Sequence, residues 1–211
     1  MRALVTGFEP FDSDTVNPSS AILPLLPRRL GEVETETRVL PCVFGEALRV
    51  LGEAVAAIKP DIVLCVGLAG GRAELSLERV AINVDDARIA DNDGNRPVDV
   101  PVIAEGPPAY FSGLRIKAAV AELRRAGLPA GVSNSAGTFV CNHTFYGVMH
   151  LAAERGFRAG FLHVPYLPEQ AVRHPGAPSM ALADIARGIE IVLSVAAARG
   201  ADIAVSEGTF A

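Results

Sequence analysis

FGEALRVLGEAVAAIKPDIVLCVG, residues 44–67, sets two kinds of periodicity back to back. Leu48, Leu51, Val55 and Ile58 recur at three- and four-residue intervals, which predicts an amphipathic helix over 44–58 stopped by Pro60. IVLCVG, 62–67, is uninterrupted by polar residues and reads as a fully buried strand. A helix feeding straight into such a strand is one step of a sheet covered by helices on both faces.

The alternation continues in both directions. RALVT, 2–6, is a first buried strand closed by Gly7. Asn17 and Pro18 supply the N-cap and first-turn proline of a helix over roughly 18–30, which Pro24 and Pro27 shorten or bend. A strand follows near 34–40. Residues 74–84 alternate as a strand or hairpin arm, and 85–101 are dense in turn residues and read as a long ordered loop. A helix over 113–126 ends at Gly127, a short strand covers 130–134, a helix over 140–155 ends at Gly156, and a strand covers 158–166. Ser179 is placed to cap a last helix through about Arg199, leaving the final eleven residues as a tail or partner-contacting arm. The predicted class is α/β, a three-layer α/β/α arrangement around a central, mostly parallel twisted sheet. A length of 211 residues suits one domain spanning 1–211.

Composition removes several function classes. Half the residues are hydrophobic and 20% charged, as in a packed globular protein. The net charge of -5 and the scatter of 19 basic residues argue against a nucleic-acid partner. Cys42, Cys65 and Cys141 are odd in number and far apart, fitting neither a disulfide framework nor paired metal ligands, and point to a reducing compartment. MRALVTGFEPF lacks the pattern of a signal peptide, and Asp184, Arg187 and Glu190 break the most apolar segment, so no membrane partner and a cytoplasmic location are expected.

GLAGG, 67–71, follows a strand without G-x-G-x-x-G spacing, and Ser133 and Ser135 do not form a G-x-S-x-G elbow. Neither a dinucleotide cofactor nor a serine nucleophile is indicated. Cys141, His143 and His150 share a helix, but positions two apart point about 200° away from each other, so Cys141 and His143 do not suit one metal ion. Structural hydrogen bonding is the simpler role for both histidines. Cys141 itself falls in the first turn, where the helix dipole and free N–H groups favour a thiolate and could receive an oxyanion, with Thr138 or a small neighbour as cap. Of the four histidines, His163 stands at the carboxyl end of a strand, where ligands of open α/β sheets gather. Glu78, Asp85, Asp86, Asp91 and Glu169 are the candidate orienting carboxylates, and spacing does not choose among them.

LVTGFEPF (4–11), NPS (17–19), GLAGGR (67–72), ERVAIN (78–83), DARIADNDGNRP (86–97), SNSAGTFVCNH (133–143), HVPYLPEQ (163–170) and PSMAL (178–182) together resemble the pyroglutamyl-peptidase I family of cysteine peptidases. The resemblance implies a cofactor-independent, metal-independent enzyme that cleaves after an N-terminal pyroglutamyl residue of a small blocked peptide. It implies Cys141 as nucleophile, His163 as base and Glu78 as orienting group. It also implies Arg88 near the oxyanion, Phe8, Phe11, Ile89, Phe139 and Val140 around the lactam ring, and a homotetramer. Leu68 stands where the family has glutamine, Cys42 where threonine is usual, and Arg96 where glutamine is usual. The first two fall in the expected pocket, which leaves open a thiol hydrolase of another small cyclic or N-blocked amide. A binding protein with a vestigial triad is the third reading.

Overall fold

The computed structural model describes residues 1–208. Strands β1 (Arg2–Phe8), β3 (Val33–Leu40), β4 (Ile62–Leu68) and β9 (Arg158–Val164) run parallel, and β2 (Arg29–Leu30) pairs antiparallel on β3. Beyond β9 lie β5 (Leu75–Glu78) and β8 (Ala130–Ser133), parallel to each other but antiparallel to β9. The sheet order is β2-β3-β1-β4-β9-β5-β8. A separate ribbon joins β6 (Val80–Ile82) to β7 (Ala109–Phe111). The expected mostly parallel sheet therefore carries a reversed pair at one edge.

Strand residues alternate between two apolar layers, as the pleat requires. One face of the sheet, including Val5, Leu64 and Leu162, packs with Ile116, Ala119 and Leu123 of α3 (Ile116–Arg125) and Ile185, Ile189 and Val192 of α6 (Leu182–Ala197). The other, including Leu4, Cys65 and Phe161, packs with Leu51 and Val55 of α2 (Glu46–Ile58) and Phe145 and Val148 of α4 (Val140–Arg155). Unlike the one-sided α2, α4 is buried nearly all round, because the β6–β7 ribbon closes over it. Most of its buried polar side chains are consequently partnered, the Thr144 hydroxyl being the exception. Asn142 exchanges hydrogen bonds with Ile82 and donates to the Val84 carbonyl, and the Tyr146 hydroxyl donates to the Pro107 carbonyl at 2.6 Å.

Several expectations are corrected. The 18–30 helix is only α1 (Pro18–Ala21) plus a 3₁₀ turn at Leu23–Leu25, since Pro24 and Pro27 deprive a longer helix of donors; the Asn17 cap is present. The last helix starts at Leu182 without a Ser179 cap, and Ser179 instead bridges to Tyr166. Residues 74–84 split between the main sheet and the ribbon. A further short helix, α5, covers Pro168–Ala171.

The arm after α6 packs along its own chain. Asp202 accepts from the Lys117 and Ala118 N–H groups at 2.9 Å, capping α3, which has no cap of its own. Glu207 pairs with Arg124 at 2.5 Å, and the Gly208 carbonyl meets Asn134. The rest of the expected tail, 209–211, lies outside the described residues.

Candidate active site

Cys141 is the second residue of α4 and half-buried at the carboxyl end of the parallel strands. A Cβ added to Gly67 would lie 2.9 Å from its Sγ, so the sulfur rests on the bare backbone of β4. Gly67 is the register partner of His163 on β9, about 4.8 Å away across the sheet. Phe161 meets that same Cβ position and stacks tilted on the His163 ring at 4.9 Å, which puts imidazole and sulfur on one face. Glu78, last in β5, sits diagonally from His163, within reach of a long side chain. Its Oε1 lies 2.7 Å from His163 Nδ1. A carboxylate only accepts, so Nδ1 carries the proton and Nε2 is left basic.

Arg72, in the turn between β4 and β5, donates to the same Oε1 at 2.7 Å and to the Ser135 carbonyl at 3.2 Å. Burial pushes the Glu78 carboxyl up, but His163, Ser133 and Arg72 outweigh it and hold it below the usual carboxylate range. Burial lowers His163 below its ordinary value despite Glu78. The resting pair is thus carboxylate and neutral imidazole. For Cys141 the expectation of a depressed thiol is corrected: burial, then Cys42 and Glu78, push it well up, with Arg72 opposing. Enclosure on the apolar face outweighs the helix terminus.

The cap is corrected too. Phe139 occupies the N-cap position with no side-chain bond into α4, and Thr138 instead donates to the Asp86 carbonyl at 2.7 Å. The first-turn N–H groups have no intrahelical acceptor and point toward the sulfur's end of the helix.

A second histidine–carboxylate pair lies nearby, with His143 Nδ1 2.7 Å from Asp85 Oδ2. Here Nε2 is occupied, accepting from Gly45 N–H at 2.9 Å, so the pair fastens two loops. His150 meets the Tyr110 hydroxyl at 2.8 Å, and His174 stacks on Tyr166. Asp91 is tied to its own loop through Asp93 and Asn95 and accepts from Phe44 N–H at 2.9 Å; Asp86 and Glu169 are exposed. Among the described residues no group of three or more His, Cys, Asp or Glu side chains could hold a metal ion.

Phe139 packs against Phe11 at 6.1 Å and edge-on against Phe44 at 5.4 Å, forming an aromatic wall beside the helix mouth. Phe44 is not among the residues expected from the sequence, because a lone aromatic at the head of a helix carries no pattern. Phe8, Cys42 and Val140 are buried in the cluster this wall packs against, Leu68 is buried at the end of β4, Ile89 is partly buried and Arg88 is exposed. Burial, then Asp91 and Glu9, push the Cys42 thiol up to about 12. Arg96 donates to the Ala87 and Arg88 carbonyls, fixing the backbone that carries Arg88. Arg72 was also missed as a site residue; the GLAGGR stretch holds it, but only the fold shows the carboxylate it faces.

The profile of the pyroglutamyl peptidase family matches residues 1–199. The pyrrolidone-carboxylate peptidase of Erwinia tasmaniensis is 53% identical over 208 residues, covering 98% of each chain, and that of Escherichia fergusonii is 54% identical over 207 residues, covering 97% of each. The crystal structure of Bacillus amyloliquefaciens pyroglutamyl peptidase I superposes with a TM-score of 0.94 at 45% identity, covering 97% of this chain and 99% of that one. A mutant pyrrolidone carboxyl peptidase from Pyrococcus furiosus superposes with a TM-score of 0.90 at 43% identity, covering 93% and 98%.

Proposed function

The chain belongs to the pyroglutamyl peptidase family, and from that membership we propose that it hydrolyses the amide after an N-terminal pyroglutamyl residue, with Cys141, His163 and Glu78 as its catalytic residues. The observation that carries the residue assignment is the sulfur of Cys141 resting on Gly67, opposite a His163 whose Nδ1 is tied to Glu78.

His163 Nε2 takes the thiol proton as Sγ attacks the scissile carbonyl, and the proton passes to the leaving amine when the C–N bond breaks. Water then attacks the thioester with His163 again as base, releasing pyroglutamate and the free thiol. Because both partners start neutral, proton transfer accompanies attack, and Glu78 stabilises the imidazolium formed. The uncapped N–H groups of α4, with Arg88 close by, receive the oxyanion.

Phe11 and Phe139 hold the flat uncharged lactam, with Ile89, Leu68, Cys42, Phe8 and Val140 around or behind it. A free amino terminus would bring an unpaired charge into an apolar pocket, which accounts for selection of a blocked one. Leu68 and Cys42 favour a second reading, hydrolysis of another small cyclic or N-blocked amide. We also propose that residues 1–211 form one domain and that the protein is a cytoplasmic homotetramer, the last checked by sedimentation.

Release of a reporter amine from its pyroglutamyl amide is expected for the parent, insensitive to EDTA and abolished by iodoacetamide and by Cys141→Ala. Full activity in Cys141→Ala would overturn the assignment. Comparison with acetyl and prolyl amides, in the parent and in Leu68→Gln, separates the two readings.

A further inference from the structure

We infer that Arg72 is a positioning residue of the triad, holding Glu78 to the loop that leads into Cys141 and keeping down the proton affinity of the thiol–imidazole couple. The inference rests on the assignment of Cys141, His163 and Glu78 above.

Arg72 is held by its own turn, where its N–H donates to the Ala69 carbonyl at 3.2 Å and Gly71 takes φ +90°. One guanidinium nitrogen reaches Glu78 Oε1 and another the Ser135 carbonyl, six residues before the nucleophile. Glu78 is fully buried and the Arg72 side chain 31% exposed, so the cation plugs the carboxylate from the solvent side. Since Arg72 Nη1 and His163 Nδ1 each lie 2.7 Å from one oxygen, they are no more than twice that distance apart. A fixed positive charge so close opposes protonation of the imidazole and favours loss of the thiol proton.

Glu78 alone would do the opposite. Its negative charge raises both His163 and Cys141, and Arg72 is the cation that counters it at both groups. The remaining titratable groups facing the couple are Cys65 from β4 and Cys42 from the segment after β3, both held as neutral thiols by burial. Arg72 therefore lets Glu78 orient the imidazole without making it so basic that it stays protonated at neutral pH.

The test compares Arg72→Met and Arg72→Lys with the parent. Two readouts are taken across pH: kcat/KM on a pyroglutamyl amide, and the rate of Cys141 alkylation by iodoacetamide, localised by mass spectrometry. For Arg72→Met the acid limb of kcat/KM should move up by about half to one pH unit, allowing for partial exposure of the cation. Alkylation at neutral pH should slow by up to about tenfold, as a one-unit rise in a thiol's pKa requires. Arg72→Lys keeps the charge but not the fork, so its acid limb should stay within a few tenths of a unit of the parent's while kcat falls. Unchanged pH profiles in folded Arg72→Met would overturn the inference. Should Arg72→Met fail to fold, Arg72→Gln, also uncharged, is read by the same criteria, and a shift of a full unit in Arg72→Lys would overturn the inference in either case. Alkylation needs no substrate, so a parent inactive on pyroglutamyl amides would refute the peptidase reading while the thiol profile still decides the role of Arg72.

Discussion

Gly67→Ala should slow catalysis without removing any reacting group. The added methyl would stand 2.8 Å from Phe161 Cζ and 2.9 Å from Cys141 Sγ. Optimal separations are about 3.5–4.0 Å, so each of the two contacts must open by about 0.6–1.2 Å. Phe161 is held between Phe8 and Phe145, leaving the sulfur as the softer partner. A misplacement near 1 Å costs about a hundredfold in rate, so kcat should fall about 10- to 100-fold with KM little changed. Overpacking should also cost about 1–3 kcal/mol of stability. Steady-state kinetics on a pyroglutamyl reporter amide, with urea denaturation of the same samples, measures both. Gly52→Ala is the control: its methyl meets nothing within 4 Å in the interior of α2, so it should gain about 0.5–1 kcal/mol with kcat unchanged. A folded Gly67→Ala enzyme within about twofold of the parent kcat would refute the placement of the sulfur on that glycine.

Three further outcomes follow from the geometry. His163 is held below its ordinary value in the fold, so between that unfolded value of about 6.5 and the lower folded one the unfolded chain binds more protons. Stability should fall as pH drops from 7 to 5.5, and this loss should be smaller in His163→Gln; equal losses in the two by urea titration would refute it. Asp85→Asn should destabilise by about 1–3 kcal/mol, leaving the acid limb of kcat/KM in place, because its histidine only fastens loops; a shifted limb would give that pair a part in the chemistry. Asp202→Ala removes the cap of α3 and should lower stability by about 1 kcal/mol, read as a drop in melting temperature; an unchanged melting temperature would refute it.

Legibility in the sequence followed how local each feature's cause is. The helix at Val140–Arg155, the strands at Ile62–Leu68 and Arg158–Val164 and the Asn17 cap rest on periodicity or adjacent residues, and the structure contains them. The reversed direction of β5 and β8 is a long-range pairing with no local trace. Glu78 could be singled out among the carboxylates only through the resemblance, since Asp85 forms an equally short pair with another histidine. What distinguishes the two pairs is whether Nε2 is occupied, and Gly45, distant in sequence, decides that. The thiol departs from expectation for a similar reason: the helix terminus is visible in the sequence, but the apolar enclosure that opposes it is not.

That enclosure bears on how the protein endures between encounters with substrate. Peroxide oxidises thiolates far faster than thiols. Burial pushes all three cysteines up, so at rest each sulfur is stored in its less vulnerable form. Cys42 and Cys65 are buried but Cys141 is only half-buried, so this shelter is thinnest at the one sulfur that must react.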